Sequence, residues 1–226
     1  MKRTAALILT VLLAFLLIAC DGNVTDNGIN TTPSATGQGD KQESASPDLS
    51  ETEPPAGAKV LVAYFSRTGE NYGVGVIEKG NTEIIAEMIA AKTGGDLFRI
   101  ESVNAYPFGY DDCTKVAREE KNANARPRLT ATVTDFDDYD VIYLGYPIWW
   151  SDMPMPVYTF LESYDFSGKT IIPFCTHAGS GLSGTVRSIQ TACSGATVRD
   201  GFAISGATAQ NDRASAEKQL SDWLGK

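Results

Sequence analysis

The chain holds one histidine and four cysteines in 226 residues, and neither type is arranged for a common chemistry. No Cys-x-x-Cys spacing occurs, and no metal-ligand set can be picked out. Cys113, Cys175 and Cys193 fall in the apolar-rich part of the chain, an odd number, so a single disulfide among them stays open and buried free thiols are the default. No Gly-x-Ser-x-Gly elbow is present, which ranks a serine hydrolase last. The turn after the first strand-like run lacks the Gly-Lys-Ser/Thr ending that manages the reacting phosphates of ATP or GTP. Basic residues are the minority, 19 Lys and Arg against 28 Asp and Glu, for a formal net charge of −9. That balance argues against a nucleic-acid partner.

The longest apolar run lies in the opening MKRTAALILTVLLAFLLIAC, where Lys2 and Arg3 precede it and Ala19 and Cys20 close it. This is the layout of a secretory signal, and it is shorter than the ~20 apolar residues of a membrane span. The ending Leu-Ile-Ala-Cys resembles the bacterial lipoprotein lipobox. The resemblance implies removal of residues 1–19, lipidation of Cys20, and an extracytoplasmic protein lipid-anchored to the bacterial cell membrane. An ordinary signal peptide with a chance cysteine is the alternative. Residues 20–57 are Asn, Thr, Ser, Gly, Pro and acid with few large apolar residues. Such a segment cannot bury a core and is expected to be a disordered tether. Residues 58–226 have the length and apolar content of one domain.

Within that domain β-type runs at 59–66, 96–102, 139–150, 169–177 and 196–205 alternate with helical patterns at 81–95, 111–125, 153–164, 183–193 and 212–226. The first, third and fourth strand runs are almost continuously apolar, as strands covered on both faces are. The expectation is α/β: a doubly wound five-stranded parallel sheet with helices on both faces. Ligands of such sheets bind beyond the carboxyl ends of the strands. Three loops leave those ends: SRTGE after the first run, YPIWWSDMP after the third, and THAGSGLSGT after the fourth.

With residues 70–80 set aside, the first loop closes up to Ser-Arg-Thr-Gly-Asn-Thr before an amphipathic helix. It then resembles the phosphate loop of flavodoxins, and the resemblance extends in element order and loop position over residues 58–226. A flavodoxin-like fold and FMN as cofactor are what it implies. Ser66, Arg67, Thr68, Gly69, Asn81 and Thr82 would hold the phosphate, through hydroxyls, close backbone approach and the amides of a helix start. Such a site needs no lysine and suits a single non-reacting monophosphate. Pro147, Ile148, Trp149 and Trp150 would meet the flavin ring from one side. Thr176, His177, Ala178, Gly179, Ser180 and Gly181 would meet it from the other, with Tyr72 of the insertion available to cover an open ring face. His177 alone is weak support for proton delivery.

The expected function is a membrane-tethered FMN protein taking part in electron transfer. A one-electron carrier and an FMN-dependent NAD(P)H or quinone reductase both stay open, with a redox protein or a small acceptor such as a quinone as partner. A flavin-free binding module of the same fold is the alternative of a different class. Asp152, directly after the paired tryptophans, is the acid expected to repel a reduced ring and lower its potential.

Overall fold

The computed structural model describes residues 54–225. The expected signal peptide, Cys20 and nearly all of the tether lie outside the described residues. In chain order the elements are β1 (Val60–Tyr64), β2 (Gly69–Asn71), β3 (Gly75–Ile77), α1 (Asn81–Thr93), β4 (Asp96–Arg99) and α2 (Tyr110–Asn122). There follow β5 (Val141–Pro147), α3 (Met155–Leu161), β6 (Thr170–His177), α4 (Thr185–Ala192), β7 (Thr197–Val198), β8 (Phe202–Ser205), α5 (Gly206–Asn211) and α6 (Arg213–Leu224).

The main sheet has the order β4-β1-β5-β6, with β7 and β8 sharing the far edge of β6, and every pairing in it is parallel. Strand polarity alternates its side chains between two cores, as a period of two requires. Leu61, Ala63 and Phe65 pack with Ile142, Leu144 and Phe160 on one face. Val60, Val62 and Tyr64 pack with Ile84, Ile89 and Leu220 on the other. The five residues of β1 are all buried, which is why that run carries no polar position.

Two parts of the chain depart from the reading of the sequence. The run 196–205, expected as one strand, is broken into β7 and β8. Odd-numbered residues of β6 turn their backbone groups toward this edge, as the bond from Arg199 N–H to Ile171 O shows. Pro173 therefore withholds the N–H that the middle of a continuous edge strand would need. The insertion at 70–80 also has structure of its own, an antiparallel hairpin of β2 and β3. The switch in strand order falls between β1 and β5, so the loops after these strands diverge around a crevice at their carboxyl ends.

Candidate functional site

A cleft of about 650 Å³ opens at the carboxyl ends of β1, β5, β6 and β8. Its floor and inner wall are Pro147, Ile148 and Trp149 after β5, and Thr176, His177 and Ala178 after β6. Asn81 at the start of α1 and Arg67 lie at one end, beside Ser205, Gly206 and Ala207. The outer wall comes from the hairpin turn, Asn71 to Gly73, and from Tyr110, Cys113, Thr114 and Ala117 of α2.

At the α1 end the loop after β1 is organised by the helix it precedes. Gly80, the residue before α1, has no side chain to cap it. Ser66 supplies the missing acceptor, its Oγ taking the N–H of Glu83 at 3.0 Å. Ser66 is itself buried beneath Gly80 and does not line the cleft. Thr82 faces inward and shares a 2.8 Å hydrogen bond with Thr176 Oγ1, which ties α1 to β6. Thr82 is 1% exposed and outside the lining. Thr68 and Gly69 are outside the lining too. Gly69 adopts φ +85°, and a Cβ there would lie 2.9 Å from the carbonyl oxygen of Phe108.

Arg67 acts mainly as a clasp. Its Nη1 donates to Glu70 O at 2.5 Å, and its Nη2 donates to Pro107 O at 2.7 Å, Phe108 O at 2.5 Å and Gly109 O at 3.4 Å. Glu70 completes the tie, its N–H donating to Phe108 O and its carboxylate accepting from Tyr110 N–H at 2.9 Å. The inserted hairpin is thereby fixed to the start of α2, and Tyr72 meets Tyr110 with ring centroids 5.9 Å apart. Two buried polar atoms in this region have no partner: Nε of Arg67 and Oδ1 of Asn81. Buried polar atoms are nearly always bonded, so these two are exceptions, and both belong to side chains that line the cleft.

The paired tryptophans divide their work. Trp149 packs edge-on against Phe65 and Tyr106, at 5.3 and 5.0 Å between centroids, and so joins the core as well as the cleft. Trp150 is 42% exposed and lies in a two-residue turn with Ser151, both at positive φ, 52° and 61°. A bulky residue in that conformation must be held there. Its Nε1 donates to Thr114 O at 3.1 Å, Lys121 donates to its carbonyl at 2.6 Å, and the Arg118 guanidinium lies 3.8 Å from its ring centre. Asp152 closes the same turn: it accepts from Met153 N–H and Tyr158 O–H at 2.8 Å each and pairs with Lys121 at 3.5 Å. The carboxylate is paired with Lys121 and lies outside the cleft lining, beside Trp150, which is part of it.

His177 accepts the N–H of Gly179 at Nδ1, 2.9 Å, so the neutral ring carries its proton on Nε2. Burial holds its pKa below the ordinary value of 6.5. Ala178 lines the cleft, while Gly179, Ser180 and Gly181 do not. Gly181 is drawn back by the Cys175 thiol, which donates to its carbonyl at 3.4 Å. The three cysteines among the described residues carry free thiols, and burial raises each of them, Cys175 to about 12. Cys113 is the one of the three that meets the cleft.

Sequence reasoning missed three groups, the first being Asn71 and Gly73 of the hairpin turn. Tyr110, Cys113, Thr114 and Ala117 follow the i, i+3, i+4, i+7 spacing of one helix face, a signal visible in the sequence but without an indication of what that face covers. Ser205, Gly206 and Ala207 follow the fifth strand run, and the rule that ligands bind beyond carboxyl ends applies to that strand as well.

A parallel sheet in this order, with its cleft at the switch point, defines the doubly wound flavodoxin-like class. The family model described as Flavodoxin matches residues 59–224, and the chain belongs to the flavodoxin family. A candidate flavoprotein from Bacteroides uniformis ATCC 8492 is 30% identical in sequence, with 75% of this chain and 99% of that chain covered and a TM-score of 0.60. Another from Bacteroides eggerthii DSM 20697 is 29% identical over 74% of this chain and 96% of that chain, also with a TM-score of 0.60. A flavoprotein in complex with FMN from Lactobacillus acidophilus NCFM shares the fold at 19% identity, over 74% of this chain and 98% of that chain, TM-score 0.55. No curated protein matches the chain.

Proposed function

We propose that the cleft binds FMN and that the chain is an electron-transfer protein tethered to the outer face of a bacterial membrane by a lipid on Cys20. The observation that carries the cofactor reading is the pair of unpartnered buried atoms, a donor on Arg67 and an acceptor on Asn81, in side chains that line one end of the same cleft. A ligand with an anionic oxygen and hydroxyl groups satisfies both, and FMN has a phosphate and a polyhydroxylated chain. Membership of the flavodoxin family and the FMN named for the Lactobacillus acidophilus protein support the same choice.

The residues fall into roles. The first amides of α1, at Asn81 and Thr82, and the helix dipole favour the phosphate. Ser66 holds those amides in place from beneath, its Oγ accepting the N–H of Glu83. Trp149 and Ile148 give the ring an apolar wall, and the Trp150 turn holds that wall to α2. His177 offers an Nε2–H donor at the inner side. FMN, when bound, supplies the electron-accepting ring, and the protein sets its access and surroundings.

The full chain, purified and titrated by flavin fluorescence, is expected to bind FMN at least about tenfold more tightly than riboflavin, because a charge-assisted bond to phosphate contributes ~1.5–3 kcal/mol. Equal affinities for the two would overturn the phosphate assignment. Cys20→Ser is expected to release the protein from membranes, since stable anchoring takes more than one acyl chain and a lipidated cysteine provides it. Continued membrane partitioning and unchanged processing in that variant would overturn the lipid-anchor reading.

A further inference from the structure

We infer that the outer wall of the cleft takes, beside the cofactor proposed above and resting on that reading, a neutral planar aromatic ligand of the p-quinone class and not a nicotinamide dinucleotide. The wall is built for a flat ring. Tyr72 stands at the hairpin turn, 67% exposed, with its plane tilted 39° from that of Tyr110, and both rings line the cleft with Trp150. The Arg67 clasp holds this pair in place through backbone carbonyls of residues 70 and 107–109. Each tyrosine carries an O–H that a quinone carbonyl can accept. Burial raises the Tyr110 phenol, which keeps it protonated and a donor.

Charge decides between the two ligand classes. Arg67 is the one charged side chain in the lining, and both terminal nitrogens of its guanidinium are spent on carbonyls. The three cations of α2 are committed elsewhere: Lys115 to Asp112, Arg118 to the Trp150 ring, and Lys121 to Asp152 and the Trp150 carbonyl. Lys79, just past the hairpin, is paired with Glu87. Asp111 and Asp112 lie exposed in the first turn of α2 beside Tyr110, and the Glu70 carboxylate binds the Tyr110 amide. The anion capacity of the α1 terminus is taken by the single phosphate of the cofactor. A dinucleotide would bring a pyrophosphate to an acidic rim with no uncommitted cation among these groups to receive it, and like charges brought together at an interface are strongly disfavoured. A neutral quinone meets no such penalty and gains aromatic contact.

The test is calorimetric titration of the oxidised, FMN-loaded full chain with duroquinone and, separately, with NADP⁺, which does not react with oxidised flavin. Saturable duroquinone binding is expected, unchanged between about 0.05 and 0.5 M salt because no ion pair is involved. Compared at equal FMN occupancy, Tyr72→Ala is expected to weaken it about 3- to 10-fold. Tyr72→Phe should retain most of the affinity. NADP⁺ is expected to give no saturable heat. Saturable NADP⁺ binding without duroquinone binding would overturn the inference. So would a Tyr72→Ala chain that loses FMN, which would assign Tyr72 to the cofactor. A chain that does not load FMN overturns the cofactor reading before any quinone is added, whereas a loaded chain indifferent to duroquinone overturns this inference alone.

Discussion

The hydroxyl of Ser66 caps a helix whose capped amide belongs to Glu83, 17 positions further on, at 3.0 Å. The loop after β1 and the start of α1 are thus one unit, although the β2–β3 hairpin separates them in sequence. Ser66→Ala removes the cap and with it the tie between this loop and the start of α1. Loss of a cap costs ~1 kcal/mol, so the urea midpoint of the FMN-free chain should fall and FMN affinity should fall with it. An unchanged midpoint would show that α1 does not depend on this bond.

Arg67→Lys is expected to free the hairpin. An ammonium cannot fork between carbonyls on two segments as a guanidinium does, and the lost charge-assisted bonds are worth about 2–3 kcal/mol together. Hydrogen exchange at residues 69–77 should quicken sharply while the amides of β1 and β5 stay protected. Unaltered exchange in the hairpin would count against the clasp.

Gly206→Ala separates binding from folding. A Cβ at that position would meet the Asn81 amide nitrogen at 2.5 Å, the far end of a side chain that can swing aside. The denaturation midpoint should change little, while FMN affinity drops about 3- to 10-fold through displacement of Asn81, the cost of roughly one neutral hydrogen bond. FMN affinity equal to that of the parent would remove Asn81 from the site.

His177 makes stability pH-dependent in a defined direction. Burial lowers its folded-state pKa below 6.5, so the unfolded chain takes up this proton first and stability falls as pH drops through 6.5 toward the folded value. Glu120 works in the opposite sense, because burial raises its carboxyl and the folded chain holds that proton more firmly. Comparing urea midpoints of the parent and His177→Gln between about pH 7.5 and 5.5 isolates the histidine. The parent should lose more stability over that interval than the variant, and parallel curves would contradict the assignment.

Asp152→Asn should loosen the Trp150 turn and raise the flavin potential at low salt. Its carboxylate is bound by Met153 N–H, Tyr158 O–H and Lys121, so its loss costs those bonds, and it also removes one negative charge and leaves Lys121 without its partner. Lower thermal stability with a raised potentiometric midpoint, the rise shrinking as salt is added, is the expected result. An unshifted potential at low salt would remove Asp152 from the ring's field.

Fold and site were legible to different depths. The alternation of apolar strands with amphipathic helices located every strand of the main sheet, because buried parallel strands admit few polar residues. It could not divide the last strand run, since that break comes from Pro173 on the neighbouring strand. Ser66, Asn81, Trp149, Trp150 and His177 were visible as unusual residues in loops at strand ends. Which of their atoms meet the cleft was not visible. Thr82 and Thr176 read as two ligand hydroxyls, and the fold turns them toward each other. Arg67 read as an anion ligand, but three of its four acceptors lie about forty positions away, in a segment without a motif. Local pattern identifies the loop, and tertiary contact decides what each side chain does there.

The interruption between β7 and β8 also bears on solubility. A sheet ends in a row of unpaired backbone groups, and a long, regular row invites a second chain to add itself as a strand. Here one border is β4, four residues long, and the other is split into pieces of two and four residues. Neither offers the uninterrupted ladder on which edge-to-edge stacking grows. For copies crowded onto one membrane surface, as the lipid-anchor proposal places them, Pro173 serves as a guard against aggregation built into the interior of the sheet.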